Sequence, residues 1–253
     1  MIAVIFGIGC VVGILILVYW SQPKPPPFPF QPESAQPIAP TRSNHVPFKN
    51  PFQVLDSNVH IIKTASKCVE LIRTIRDHCT SAPFIGLDCE WVTIGGVRQS
   101  VALLQMASSS GMCLLIRMFL MDAFPNELKD LLADPKILKV GVEVYFDGRK
   151  LQEDYGLVVK GTVDLRHLAK KLRVPGSFGL GGLAQTVLGI QLDKNWQISA
   201  SNWQNPELSP IQREYAAKDA IVAMKLFRHF RNKINMSEIY QFIDVPFRTK
   251  FNS

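Results

Sequence analysis

Acidic residues interrupt an apolar segment in the first half of the sequence. The segment 84–92, FIGLDCEWV, is typical of a β-strand except for Asp88 and Glu90. Residues two apart share a face of a strand, so both carboxylates point the same way, about 6.6–7 Å apart along it. Buried carboxylates repel each other, and divalent cations would compensate this repulsion. The pair therefore indicates either a metal site on a central strand or the acidic solvent face of an edge strand.

A long helix near the end of the chain repeats this anomaly. Its start is indicated by Ser209 as N-cap, Pro210 at the first helical position and Gln212 at the third, which together make a capping box. Asp219 lies four residues after Tyr215 on the apolar stripe of this helix, which comprises Ile211, Tyr215, Val222, Leu226 and Phe230. An acid on a core-facing stripe is either paired with a basic group or part of a site.

A third candidate acid is Asp147, which follows the apolar run 140–144 at a predicted junction between a strand and a helix. Taken alone, this position is typical of a helix N-cap. It becomes a candidate for the same site only in combination with the other two motifs.

Together these residues resemble the DEDDy branch of the 3'-5' exonucleases, the family of ribonuclease D and of the Werner-syndrome exonuclease domain. The family's first motif, Asp-x-Glu on the first strand, matches Asp88 and Glu90, and the aspartate of its second motif matches Asp147. The third motif, Tyr-x-x-x-Asp, matches Tyr215 and Asp219. The resemblance covers about residues 84–230 and implies a ribonuclease-H-like α/β fold, with a mixed sheet flanked by helices.

The resemblance also implies a reaction. Two Mg²⁺ or Mn²⁺ ions about 3.5–4 Å apart would stabilise the attacking and leaving oxygens of a phosphodiester, and hard cations of this kind take oxygen ligands. Asp88 would contact both ions, Glu90 and Asp219 would complete one site, and Asp147 would reach the other through water, while the Tyr215 hydroxyl positions the attacking water. The substrate would be the 3' end of a single-stranded or frayed DNA or RNA. The alternative is a catalytically silent nucleic-acid-binding or tethering module on the same fold.

Periodicity predicts the elements that position these residues. Strands are predicted at 84–92, 101–107, 112–118 and 137–144, and helices at 65–79, 126–133, 147–155, 165–172 and 180–188, before the long helix from 210. This order predicts a mixed α/β exonuclease domain over 52–234, followed by a C-terminal tail over 235–253.

The segment before this domain differs in composition. Residues 2–20 contain no charged side chain and would make about 28 Å of helix, which predicts a transmembrane anchor over 1–20. A cleaved signal peptide is the alternative, but no basic region precedes the stretch. Lys24, Arg42 and Lys49 follow it, so the body should face the cytosol. The resemblance to anchored family members implies that the predicted anchor lies in the mitochondrial outer membrane.

Residues 21–51 are rich in proline and predict an extended linker, with an SH3-type ligand as the alternative.

The composition of the whole chain excludes several classes of protein. The chain has 253 residues of which 47% are hydrophobic, which excludes a disordered protein. Five scattered cysteines without a C-x-x-C pair argue against a disulfide framework or a zinc cage. The net charge of +7 favours polyanionic partners, and no feature specifies an oligomeric state.

Overall fold

The structure is a computed structural model that describes residues 58–192 and 195–248. The predicted anchor over 1–20 and the predicted linker over 21–51 lie outside the described residues. Among the residues that are described, no helix combines the length and the apolar character needed to cross a membrane.

Six strands form one sheet in the described part of the chain. They are β1 Val59–Ile62, β2 Phe84–Ile94, β3 Val97–Ala107, β4 Cys113–Arg117, β5 Leu138–Gly141 and β6 Thr162–Asp164. Their order across the sheet is β1-β4-β3-β2-β5-β6. β3 runs antiparallel to β2 and β4, whereas β5 is parallel to β2 and to β6, and β1 is parallel to β4. β2 therefore lies in the middle of a mixed sheet, and the edge-strand explanation for its acidic pair is wrong.

The helices of the described residues lie on both faces of this sheet. They are α1 Ala65–Ser81, α2 Asn126–Ala133, α3 Val144–Tyr155, α4 Leu165–Lys171, α5 Leu180–Leu183, α6 Trp196–Ser199, α7 Pro210–Arg231 and α8 Met236–Ile239. A π-helical turn, Ala184–Leu188, continues α5. One buried apolar cluster packs α7 against the sheet, and a second packs α1, α2 and α3 against its other face. This is the mixed sheet flanked by helices that the ribonuclease-H-like resemblance predicts.

A glycine allows α7 to approach the central strand very closely. A Cβ atom on Gly86 would lie 1.9 Å from the carbonyl oxygen of Ala220, so any side chain there would force the helix and the strand apart. Gly86 lies two residues before Asp88, and Ala220 follows Asp219 directly. The close contact therefore places the third motif beside the first.

Several predicted boundaries are wrong. The predicted strand 137–144 ends at Gly141, and the helix predicted from 147 begins at Val144. β1 and β6, with four and three residues, were not predicted. Residues assigned to a C-terminal tail contact the sheet: Ile243 forms a bridge with Val163, and Asp244 accepts hydrogen bonds from the backbone N–H groups of Gly161 and Thr162.

Candidate active site

Three of the candidate carboxylates meet at one point. Asp88 and Glu90 on β2 and Asp219 on α7 each place an oxygen within 4.8 Å of the others. The pairing of β2 with β3 shifts register between Glu90 and Trp91, and such bulges are common next to active sites, where they redirect a side chain. The prediction that Asp88 and Glu90 point the same way agrees with this geometry. A set of three carboxylates is chemically suited to a hard divalent cation.

Asp147 lies in the first turn of α3 rather than at its N-cap, which is Glu143. The N-cap explanation for Asp147 is therefore wrong. Its side chain is almost fully buried and accepts a hydrogen bond of 2.9 Å from the Lys150 ammonium. Asp147 lines the same pocket as Asp88 and Asp219, but it does not belong to the group of three within 4.8 Å.

The start of α3 is held by a network that links it to β6. Glu143 has a left-handed backbone with φ 63°, which is uncommon for a residue other than glycine. Its N–H donates to Asp164 Oδ2 at 3.0 Å, and its carboxylate pairs with Arg166 at 3.1 Å. Arg166 also makes two side-chain hydrogen bonds to Asp164, at 2.9 and 2.6 Å. These contacts fix the direction in which α3 leaves the sheet, and with it the position of Asp147.

The carboxylates of the site resist ionisation in the protein without metal. Burial, followed by the charges of Asp147, Asp219 and Glu90, raises the pKa of Asp88 well above its usual value. Burial and then Asp219 do the same for the pKa of Glu90. Burial raises the pKa of Asp219 to about 7, although a side-chain hydrogen bond with Tyr215 and the charge of Lys218 act in the opposite direction. Burial raises the pKa of Asp147 to about 6, and Lys150 opposes this rise.

Tyr215 lies at the wall of the same pocket, one helical turn before Asp219. Its ring packs against Trp203, with centroids 6.1 Å apart. Burial, and then the negative charge of Asp219, raises the pKa of its hydroxyl, so Tyr215 keeps its proton at neutral pH. The hydroxyl can therefore donate a hydrogen bond inside the pocket.

The helix that carries Tyr215 and Asp219 begins as predicted. Ser209 Oγ accepts the N–H of Gln212 at 3.2 Å, and Gln212 Oε1 accepts the N–H of Ser209 at 3.0 Å. The Gln212 amide also donates to Ser201 Oγ at 2.8 Å. One position of the predicted apolar stripe is wrong: Ile211 is exposed, whereas Tyr215 is partly buried and Val222, Leu226 and Phe230 are buried.

Two residues that support or line the site were not predicted from the sequence. Arg117 at the end of β4 is fully buried and donates to the carbonyl oxygens of Trp203 and Asn205, which holds the loop before α7. Lys150 follows Asp147 by three residues, and this i,i+3 spacing of opposite charges on a helix could have identified it. No local signal identifies Arg117, because its partners lie far along the chain.

The pocket itself has a volume of about 390 Å³, which is within the usual range for small-molecule sites. Its polar lining includes Asp88, Asp147 and Asp219, and its apolar walls include Trp91 and Leu180. It could accept one nucleotide unit, with the phosphate beside the carboxylates and the base against the apolar wall.

Comparisons with known proteins find a family that matches this chain. The signature of a family described as 3'-5' exonuclease matches residues 59–235. The chain is 39% identical over 171 residues to exonuclease 3'-5' domain-containing protein 2 of Drosophila melanogaster. This match covers 68% of this chain and 29% of that protein. It is 32% identical over 193 residues to the bifunctional 3'-5' exonuclease/ATP-dependent helicase WRN of Mus musculus, covering 75% of this chain and 14% of that protein. It thus spans less than a third of either relative.

The chain is also similar to a solved structure, the EXD2 exonuclease domain soaked in Mn. The identity is 36%, the match covers 75% of this chain and 100% of that chain, and the TM-score is 0.45.

Proposed function

The chain belongs to the 3'-5' exonuclease family, and we propose that it hydrolyses the terminal phosphodiester bonds of DNA or RNA from the 3' end with the help of divalent metal ions. The observation that carries this proposal is the convergence of Asp88, Glu90 and Asp219 within 4.8 Å, in a pocket that Asp147 and Tyr215 also line. Loss of an acid would have favoured a silent nucleic-acid-binding module, and all four acids are present.

The donor set fits Mg²⁺ or Mn²⁺, because all of its ligand atoms are carboxylate oxygens. Asp88, Glu90 and Asp219 would hold one ion, and Asp147 together with Asp88 would hold the second. When bound, the two ions stabilise the negative charge that develops on the reacting phosphate. Burial of these carboxylates strengthens every such interaction, because the local dielectric constant is lower than in water.

Tyr215 has a different role in this proposal. Its hydroxyl keeps its proton and makes a hydrogen bond with Asp219, and Tyr215 lines the pocket, so the phenolic oxygen can orient the attacking water by accepting a hydrogen bond from it. Packing against Trp203 fixes the ring that carries it. Positioning of this kind lowers the barrier because the water does not have to be ordered during the reaction.

The pocket favours an unpaired end of the substrate. Its volume of about 390 Å³ suits one nucleotide unit better than a base pair, and Trp91 in its lining is an aromatic side chain on which a terminal base could stack. The net charge of +7 assists the approach of a polyanion. We therefore propose a single-stranded or frayed strand as the substrate.

A test of this function uses linear strands labelled at the 5' end, with either a free or a blocked 3' end, and a circular single strand. The proposal expects a ladder that shortens from the free 3' end, release of mononucleotides, and little product from the other two substrates. It also expects no product in excess chelator and recovery with Mg²⁺ or Mn²⁺. Equal cleavage of the circle would indicate an endonuclease instead.

We further propose that residues 1–20 anchor the protein in the mitochondrial outer membrane and that residues 21–51 hold the domain on the cytosolic side. The support is the uncharged stretch 2–20 followed by Lys24, Arg42 and Lys49. Carbonate extraction and protease treatment of intact mitochondria test this. Resistance to extraction with digestion of the domain is expected, and release of the protein by carbonate would contradict it.

A further inference from the structure

Gln105 on β3 is a buried polar residue beside the carboxylate cluster, and no role has yet been assigned to it. Its side chain is fully buried, and neither its Nε2 nor its Oε1 atom has a hydrogen-bond partner among the described residues. A buried amide without a partner is destabilising, because it has lost its hydrogen bonds to water. Native proteins keep few such groups, and each one calls for a physical explanation.

The register of the sheet places Gln105 directly opposite Asp88. The two residues are cross-strand partners in the antiparallel pairing of β2 with β3. Directly opposite residues lie on the same face of a sheet, with Cβ atoms about 4.5–5.5 Å apart. The Gln105 side chain therefore shares the face that carries Asp88 and Glu90. Rotation about its own side-chain bonds can bring its amide to the Asp88 carboxylate.

The other neighbours of Gln105 on this face are mostly apolar. Leu103 and Ala107 lie two residues away along β3, and Leu115 is the partner of Gln105 on β4. These three residues are fully buried. Arg117, at the end of β4, is diagonal to Gln105, and its Nε also has no partner among the described residues. The amide oxygen thus has a donor on one side, and the amide nitrogen has a carboxylate on the other.

One hydrogen bond already orients the Asp88 carboxylate, because its Oδ1 accepts the N–H of Cys89 at 3.0 Å. A carboxylate can accept further hydrogen bonds on its remaining lone pairs. A neutral amide is well suited to this position, since it can direct the carboxylate without adding a positive charge that would compete with a metal ion.

We propose that Gln105 is a positioning residue of the proposed reaction: in the occupied site its side-chain amide donates to the Asp88 carboxylate and fixes its direction. This inference rests on the proposed function. It explains the unpaired amide in the core, because Gln105 gains its hydrogen bond when the site is loaded. Hydrogen bonds to metal ligands typically change affinity or activity by about 10–100-fold.

The test compares Gln105→Met with the parent, both as full chains, in two assays. Methionine keeps the length of the side chain and removes both polar atoms, so the core loses an unpaired amide. The Tm in excess chelator should therefore rise by at least about 2 °C. The kcat on a single strand with Mg²⁺ should nevertheless fall about 10–100-fold, with little change in KM. Gln105→Leu is the second variant, with the same expectations, if methionine does not fit.

Two controls separate this effect from packing and from the loss of any glutamine. Leu115→Met makes a volume-conserving change beside Gln105, so kcat should equal that of the parent. Gln212 is also buried, but it donates to Ser201 Oγ and accepts the N–H of Ser209. Gln212→Met should therefore lower the Tm in chelator, so the sign of the change distinguishes an unpaired amide from a paired one.

A kcat equal to that of the parent in a folded Gln105→Met protein would overturn the inference. A lower Tm of this variant in chelator would also overturn it, since the amide would then be satisfied in the free protein. An equal loss of kcat in Leu115→Met would assign the effect to packing. A parent that degrades no strand with Mg²⁺ or Mn²⁺ removes the proposed function as well, whereas an active parent beside a fully active Gln105→Met refutes this inference alone.

Discussion

Replacing Asp219 by asparagine should make the metal-free protein more stable. The carboxyl has a pKa of about 7 in the folded chain, against 3.8 for an unperturbed aspartate. Each pKa unit corresponds to about 1.4 kcal/mol, so the ionised group opposes folding by about 4 kcal/mol at pH 8. Asparagine has nearly the same shape and no charge. Its introduction also relieves Asp88 and Glu90, whose pKa values Asp219 raises.

The pH dependence gives the sign of this effect. The pKa of Asp219 is higher in the folded than in the unfolded chain, so the folded chain binds more protons between about pH 4 and pH 7. The stability of the parent therefore falls as the pH rises through this window. The advantage of Asp219→Asn should be about 2–4 kcal/mol at pH 8, less than half of that at pH 5, and close to zero near pH 4.

The assay is thermal unfolding of parent and variant in excess chelator at pH 8 and pH 5. For a domain of this size, a gain of 2–4 kcal/mol raises Tm by roughly 4–16 °C. Asp154→Asn is the control and should lower Tm instead. Asp154 accepts hydrogen bonds from Arg98 and from the N–H of Val101, and these hydrogen bonds lower the pKa of its carboxyl. A lower Tm for Asp219→Asn at pH 8 would contradict this expectation, since the ionised carboxylate would then be stabilised in the folded chain without metal.

Three further substitutions test the positions of other groups. Tyr215→Phe deletes only the hydroxyl, so kcat should fall about 10²–10³-fold with little change in KM or Tm, whereas unchanged turnover with a lower Tm would make Tyr215 structural. Arg117→Met leaves the carbonyl groups of Trp203 and Asn205 without the hydrogen bonds from Arg117, so chemical denaturation should show a free energy of unfolding lower by about 2–4 kcal/mol. Stability equal to that of the parent would contradict this role of Arg117. Gly86→Ala forces β2 away from α7, so it should lower the free energy of unfolding by about 3 kcal/mol or more and weaken Mn²⁺ binding. Mn²⁺ binding equal to that of the parent would contradict the close approach of the strand and the helix.

The central motifs could be predicted because their signals are local. The face shared by Asp88 and Glu90 follows from the two-residue period of a strand, and the start of α7 follows from the capping box at Ser209 and Gln212. In both cases the residues that determine the geometry are neighbours in sequence. The family that these motifs indicated is also the family that the comparisons find.

Other features depend on contacts between distant segments. α3 begins at Val144 because Glu143 adopts a left-handed backbone that Asp164 and Arg166 stabilise from β6 and α4, and nothing near residue 143 indicates this. Ile211 continues the apolar period of α7, but no element of residues 58–192 or 195–248 covers the first turn of the helix there, so the side chain is exposed within that part of the chain. Periodicity reports which side of an element is apolar and not where its neighbours end.

The strands of three or four residues could not be predicted from the sequence, because they too depend on contacts between distant segments. β1 and β6 are too short for periodicity to mark them, and their places are set by parallel pairing with β4 and β5. β6 nevertheless matters to the site, because its last residue, Asp164, anchors the start of α3.

The most direct test of the proposed metal site is strand degradation by Asp88→Asn beside the parent, on a strand labelled at its 5' end, with Mg²⁺ and Mn²⁺ supplied separately. Asp88 is the acid proposed to bind both metal ions, and asparagine keeps its shape while removing the charge. We expect loss of 3'-end cleavage with either ion, while the Tm in chelator stays equal to that of the parent or rises. Cleavage at the rate of the parent by a folded Asp88→Asn protein would contradict the assignment of the carboxylate cluster as the catalytic metal site.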